Sequence, residues 1–447
     1  MSKNDFKITP KKFISHIESE YDLKNITVDD LPVWQFLRNV VFTHLFENNL
    51  VQKKNKSFLN LKKSFSLNKR EQADYILFTD SSELITTRTG QYVDKIAQNF
   101  IDLLNERLMI VINPLNKLNV NIKNNNNFMF STYFHLKRRF HKIPKKIISN
   151  QSDLNEICKK INFNYSSYID LFFTYHDIFN LWLDKMQPKG VFINCGYSLF
   201  HQALIYSCNK KNIHTTELQH GLISEGHTQY SINQDVGKDA MPNHFLTFSD
   251  YYNRFINNNF INRSNVYEIG HFYRERKIKN KSLECEKMIA DLRKKYKKII
   301  LVSSQDIIEK KLINSVESIA SKRPEYFFIF KQRHLSQISF QAENILVDKK
   351  YSIYDFLNLI DCNLSCFSTN VLESLSSKTI GVLMDYDNLA SQYFGQIEKD
   401  CEGVFICQNN RDAIQALDNE LTFKSYSVFY KHNNKKNVAQ YLNTFFE

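Results

Sequence analysis

The chain has 447 residues, 43% hydrophobic and 14% aromatic, which is apolar material for two ordinary cores rather than one. Only ten Gly and seven Pro exclude a collagen-like, linker-dominated or low-complexity chain, and no apolar run is long enough to span a bilayer as a helix. A net charge of +12 favours an anionic partner without choosing between nucleic acid, a phosphorylated small molecule and a membrane surface.

The start, Met1-Ser2-Lys3-Asn4-Asp5, lacks the basic-then-apolar pattern of a secretion signal, so a cytoplasmic protein is expected. Phe13, Ile14 and Ile17 recur at helical spacing, and Asp29-Asp30-Leu31-Pro32 opens an amphipathic helix over 33–46. Seven Lys and Arg follow between Lys53 and Arg70 in a polar connection. From residue 73 short apolar runs predict buried strands at 73–79, 108–112, 191–195 and 214–218, with helices over 93–104, 154–186 and 200–211. The pattern resumes with strands at 245–249, 266–270, 298–303, 326–331, 344–347 and 379–384, and helices at 284–295, 310–321, 353–359 and 370–376. Short buried strand, polar loop and helix in alternation predict parallel sheets covered on both faces. The expected fold is α/β, two tandem Rossmann-like αβα domains behind an N-terminal helical extension. The boundaries expected are 1–72 for the extension and basic segment, 73–240 for the first domain, 241–275 for a crossover and 276–447 for the second.

Eight Cys in so long a chain, mostly inside apolar stretches, read as reduced core thiols; the pair Cys362 and Cys366 lacks further zinc ligands nearby. Ligands of parallel sheets bind where strands end, so the loops after strands are where chemistry is sought. Gln219-His220-Gly221 opens the densest of them, which continues through Glu225, Gly226 and His227 to Tyr230. A histidine beside a glycine can take a proton from an attacking hydroxyl, and Glu225 is the rival base; Gln219 and Gly221 are read as shaping the loop. Ser368 and Thr369 begin a helix whose free N–H groups suit a phosphate, with Glu373 one turn on and able to bind ribose hydroxyls. Lys331, Arg333 and His334, and Ser303 with Gln305, follow two further strands of the same domain and add donors. The chain has no Gly-x-x-x-x-Gly-Lys, Gly-x-Gly-x-x-Gly or Gly-x-Ser-x-Gly sequence, which argues against a P-loop enzyme, a dinucleotide dehydrogenase and a nucleophile-elbow hydrolase. Asp385-Tyr386-Asp387 is read as an acidic surface turn rather than a cation site.

The Gln-His-Gly loop, the Lys-x-x-His run and the Ser-Thr-x-x-x-Glu helix start together resemble the GT-B glycosyltransferases of bacterial surface polysaccharides, over roughly residues 70–410. The similarity extends to capsule and lipopolysaccharide, sialyltransferase-like and Kdo-transferase-like enzymes and teichoic-acid glycerophosphotransferases, although Leu335 follows His334 where several of these carry Pro. The segment 34–38 is similar to an N-terminal helix of some of them. The resemblance implies sugar transfer from a nucleotide-activated donor, held by the second domain, to a glycan or lipid-linked glycan acceptor on the first. It implies no metal and no other cofactor, since helix dipole and basic side chains meet the leaving phosphate. Basic stretches at 53–70 and 137–146, interleaved with Phe58, Phe65 and Phe140, are expected to allow peripheral contact with anionic membrane. Two alternatives stand: a UDP-sugar 2-epimerase of the same fold, and a basic nucleic-acid-binding protein, against which the scattered charges and missing reading motifs count.

Overall fold

The computed structural model describes residues 9–49, 73–86, 92–113, 128–279, 282–305, 307–332, 338–420 and 427–446. Two parallel sheets dominate it. The first joins β1 (Tyr75–Asp80), β2 (Leu108–Asn113), β3 (Phe128–Phe130), β4 (Gly190–Asn194), β5 (His214–Leu218), β6 (His244–Thr247) and β7 (Val266–Glu268) in the order β7-β6-β5-β4-β1-β2-β3. The second joins β8 (Lys298–Ser303), β9 (Tyr326–Lys331), β10 (Ile345–Val347), β11 (Cys362–Ser365), β12 (Ile380–Met384) and β13 (Val404–Cys407) in the order β10-β9-β8-β11-β12-β13.

Both sheets are buried, and most of their strands are apolar on both faces; β5, His-Thr-Thr-Glu-Leu, is the polar exception. Along β8 the alternation is explicit: Ile300 and Val302 join one core cluster and Ile299 and Leu301 another, so helices must cover each side. One core cluster runs from Phe13 in the N-terminal extension to Leu442, filling the first lobe and taking in Leu372, Phe394 and Ile397 of the second. Helix Pro10–Glu20, with Thr9 capping Lys12 N and Pro10 in the first turn, packs on helix Trp34–Asn49. No described helix is long and apolar enough to cross a membrane.

Residues 241–275 are no simple crossover: β6 pairs with β5 and β7 pairs with β6, so both extend the first sheet. Helix Asn434–Phe445, inside the range assigned from sequence to the second domain, likewise packs on the first lobe. Phe446 stacks edge-on against Tyr75, and Tyr441 Oη lies 2.8 Å from both Thr216 Oγ1 and His244 Nδ1. The chain therefore passes between lobes twice. The helix expected over 93–104 starts later, at Gln98–Leu104, because Asp94 turns the chain by accepting from Ile96 N and Ala97 N. That expected over 154–186 divides into Gln151–Lys160 and Ser166–Met186, with Asn162 left-handed between them. The segment 53–70 lies outside the described residues.

Candidate active site

The C-terminal ends of both sets of strands face a cleft of about 770 Å³ between the lobes. His220, Gly221 and His227 line it from the first lobe; Ser303, Gln305, Lys331, Ser368, Thr369 and Glu373 line it from the second. Residues placed far apart in the chain thus share one space.

The loop after β5 is held from several sides. Gln219 donates through Nε2 to Gly221 O at 2.8 Å and accepts at Oε1 from Phe248 N at 2.7 Å, tying the loop to the end of β6. Tyr197 Oη lies 3.3 Å from His220 Nε2, leaving Nδ1 enclosed and without a protein partner among the described residues. Desolvation in this enclosure lowers the pKa of His220 and takes His227 down to about 3, so both rings are neutral at pH 7. A neutral ring with an unpartnered nitrogen is able to accept a proton. Beneath the loop, Glu217 accepts from Tyr230 Oη at 2.9 Å, and burial pushes its carboxyl up to about 7.

Across the cleft, Glu373 is buried and raised to about 7, by desolvation above all, with Arg274 opposing. Tyr354 donates to its Oε1 at 3.2 Å, while Oε2 has no protein partner among the described residues. Ser368 and Thr369 precede the short helix Asn370–Leu375. Gln305 Oε1 accepts from Phe367 N at 3.1 Å and so joins two strand-end loops.

Several expected roles change. Glu225 does not face the cleft: it is exposed and paired with Lys11 at 3.1 Å, so it is not placed to act as base. Lys331 lines the cleft, but its ammonium is spent on Asp348 Oδ2 at 2.6 Å, Asp348 O at 3.0 Å and Tyr351 O at 2.5 Å. Three donors meet three acceptors, so it shapes a loop and leaves no proton for a phosphate. Ser303 is likewise buried and donates to Asn363 Oδ1 at 3.1 Å. Gly221 has ordinary backbone and open space where a Cβ would stand, so loop geometry does not require glycine there. Arg333 and His334 lie outside the described residues. Asp385 caps Ser391 N at 3.0 Å and Asp387 pairs with Lys311 at 2.6 Å, using the acidic turn's carboxylates within the protein. Among the described residues no three His, Cys, Asp or Glu side chains cluster as a metal site.

Sequence reasoning missed Glu83, Lys95, His271 and Tyr354, all in the cleft wall. Glu83 and Lys95 pair at 3.0 Å from a small hairpin, Leu84–Thr86 with Tyr92–Asp94. Only the Asp94 turn hints at this hairpin in sequence. Tyr197 was within reach, three residues after the end of β4, where strand-end loops are sought.

No protein-family model and no curated protein matches the sequence. Among solved structures the chain is similar to S. aureus MnaA with UDP, at TM-score 0.52 and 10% identity over 84% of this chain and 98% of that one. It is also similar to UDP-GlcNAc 2-epimerase of Neisseria meningitidis bound to UDP-GlcNAc (TM-score 0.50, 10% identity, 83% and 100% covered). A putative UDP-N-acetylglucosamine 2-epimerase of Listeria monocytogenes gives TM-score 0.50 at 10% identity, with 84% and 97% covered. At such identity the likeness is one of fold: the chain has the two-domain α/β architecture of the GT-B type.

Proposed function

We propose that this chain is an enzyme acting on a nucleotide-activated sugar in the interlobe cleft. The observation that carries the reading is the convergence of His220 and His227 from one lobe with Ser368, Thr369 and Glu373 from the other on one cavity. The free Oε2 of Glu373 suits a ribose hydroxyl, and the Ser368 and Thr369 hydroxyls suit a phosphate. No resident metal is needed for donors of this kind to meet the leaving phosphate's charge.

Two chemistries each have an observation in their favour. The names of the similar solved structures favour 2-epimerisation of a UDP-sugar. The cleft wall favours transfer. Among the described residues its carboxylates are Glu83, tied to Lys95, and Glu373 on the nucleotide side, so the first lobe offers imidazole where an acceptor hydroxyl would lose its proton. In that reading His220 takes the proton as the hydroxyl attacks the anomeric carbon, and the acceptor is a growing surface glycan of capsule or lipopolysaccharide type.

Incubation with UDP-N-acetylglucosamine in deuterated water separates them. Epimerisation yields the C2 epimer with deuterium at C2 and needs no acceptor; transfer releases nucleotide only when an acceptor is supplied. If calorimetry and thermal shift find no binding of CMP, CDP, UDP, GDP or their sugar conjugates, the reading as a whole fails.

A further inference from the structure

After β3 and the helix Thr132–Lys137, the chain runs as irregular coil over 138–149 along helix Ser166–Met186. Residues 137–149 carry six Lys and Arg and no Asp or Glu. The coil is anchored: Ile143 and Ile148 pack on the core, Arg138 Nη1 donates to Tyr175 Oη at 3.3 Å, and Ser149 N donates to Thr27 O at 2.9 Å. With its inward residues so fixed, it turns Phe140 and Ile147 outward, 85% and 86% exposed, the two most exposed large apolar side chains among the described residues. Leu181, 64% exposed, lies one turn along the helix from Asp177, which meets His141 of the coil at 3.4 Å.

The charges on this strip divide in two. Lys146 pairs with Asp29 at 2.6 Å and Lys137 lies over the Tyr133 ring, whereas Arg139, Lys142 and Lys145 are exposed with no ion pair among the described residues.

We propose that this strip docks on an anionic lipid bilayer, Phe140 and Ile147 entering the headgroup–acyl boundary while Arg139, Lys142 and Lys145 meet lipid phosphates. Isolated apolar side chains standing out between unpaired cations match the layering of such an interface, apolar below and anionic above. A second copy of the chain does not fit, since a self-paired strip would bring like charges together. Single-stranded nucleic acid fits poorly, because Ile147 offers no ring for a base to stack on.

The test uses the full chain and sedimentation with vesicles of phosphatidylcholine alone or mixed with phosphatidylglycerol. Binding is expected only to the mixed vesicles and weakening with salt. The double variant Phe140→Ser, Ile147→Ser should weaken it at least tenfold, and Arg139→Gln, Lys142→Gln, Lys145→Gln should remove most of the salt dependence. Tm should stay unchanged in both variants, since the altered groups are exposed. Three results overturn the proposal: no binding to mixed vesicles, binding unmoved by either variant, or displacement of the chain from vesicles by single-stranded RNA at lower concentration than by soluble polyphosphate. These readouts are independent of nucleotide-sugar activity, so the proposal and the reading of the cleft fail separately.

Discussion

His220 is poised by what it lacks. Its Nε2 faces Tyr197 Oη at 3.3 Å, Nδ1 has no protein partner among the described residues, and desolvation holds the ring neutral. The acid limb of kcat/KM should therefore fall below pH 6.5, the ordinary histidine value, and a pH–rate profile reads this directly. His220→Gln should lower kcat/KM by about 100-fold or more with nucleotide affinity retained. Glu217 and Glu373 make a different prediction. Both are acids raised by burial from 4.5 to about 7, so the folded chain holds more protons than the unfolded one across that window. Stability should decline as pH rises from 4.5 through 7, by on the order of 3 kcal/mol for each carboxyl. Glu217→Gln should flatten the curve of Tm against pH and raise Tm at pH 8. Much of this candidate cleft's lining was legible: His220, His227, Ser368 and Thr369 stand in strand-end loops, with Glu373 in the helix that follows, where topology alone directs the search. Lys331 and Glu225 misled because a charge at a strand end or in a loop looks the same in sequence whether it faces a ligand or is already neutralised. Asp348 and Lys11, their partners, are distant enough that only the fold brings them near.

The N-terminal helices buttress the histidine loop. Arg38, buried, pairs with Glu18 and donates to Thr228 O and to Ser231 O, the latter at 2.9 Å. Glu18 also accepts from Trp34 Nε1 at 3.1 Å and from Asn233 N at 3.0 Å. Two helices from the start of the chain thereby grip backbone on either side of Ser231. Arg38→Met leaves a buried carboxylate unpaired and should cost about 3–5 kcal/mol, visible in denaturant unfolding. In the same loop Gly226 lies against helix Leu389–Asp400 of the other lobe, and an added Cβ would stand 2.2 Å from Gln392 O. Gly226→Ala should push the lobes apart and lower kcat/KM at least tenfold. Small-angle scattering should then show a larger radius while each lobe keeps its secondary structure. The strands were the readable elements: 298–303 and 326–331 fall where apolar runs predict, and 214–218 where a strand is expected. β3 and β13, short strands of three and four residues at sheet edges, were not readable.

At the scale of the molecule, helix Asn434–Phe445 decides how the lobes are joined. Asn434 Nδ2 donates to Ile269 O at 2.9 Å and Gly270 O at 3.1 Å, and its Oδ1 accepts from Asn99 Nδ2 at 2.6 Å. Phe446 fills the space beside Gly190 that a Cβ would take. Removing residues 434–447 should uncover the edge of the first sheet's core. Loss of amide-exchange protection should then appear in β4 and β5 before β8 and β9. The two-lobed plan follows from the alternation of strands and helices. The return of the chain does not, because an amphipathic helix carries no label for the lobe it will cover.

That return also sets an order of assembly. A ribosome delivers the β1–β7 segment long before residues 434–446 emerge, so the first lobe must wait, its Gly190 and His214 surroundings uncovered, while the whole second lobe is made. Chaperones that shelter apolar surface on nascent chains have that interval in which to act, and the N-terminal half alone should be poorly soluble when expressed without its distant partner.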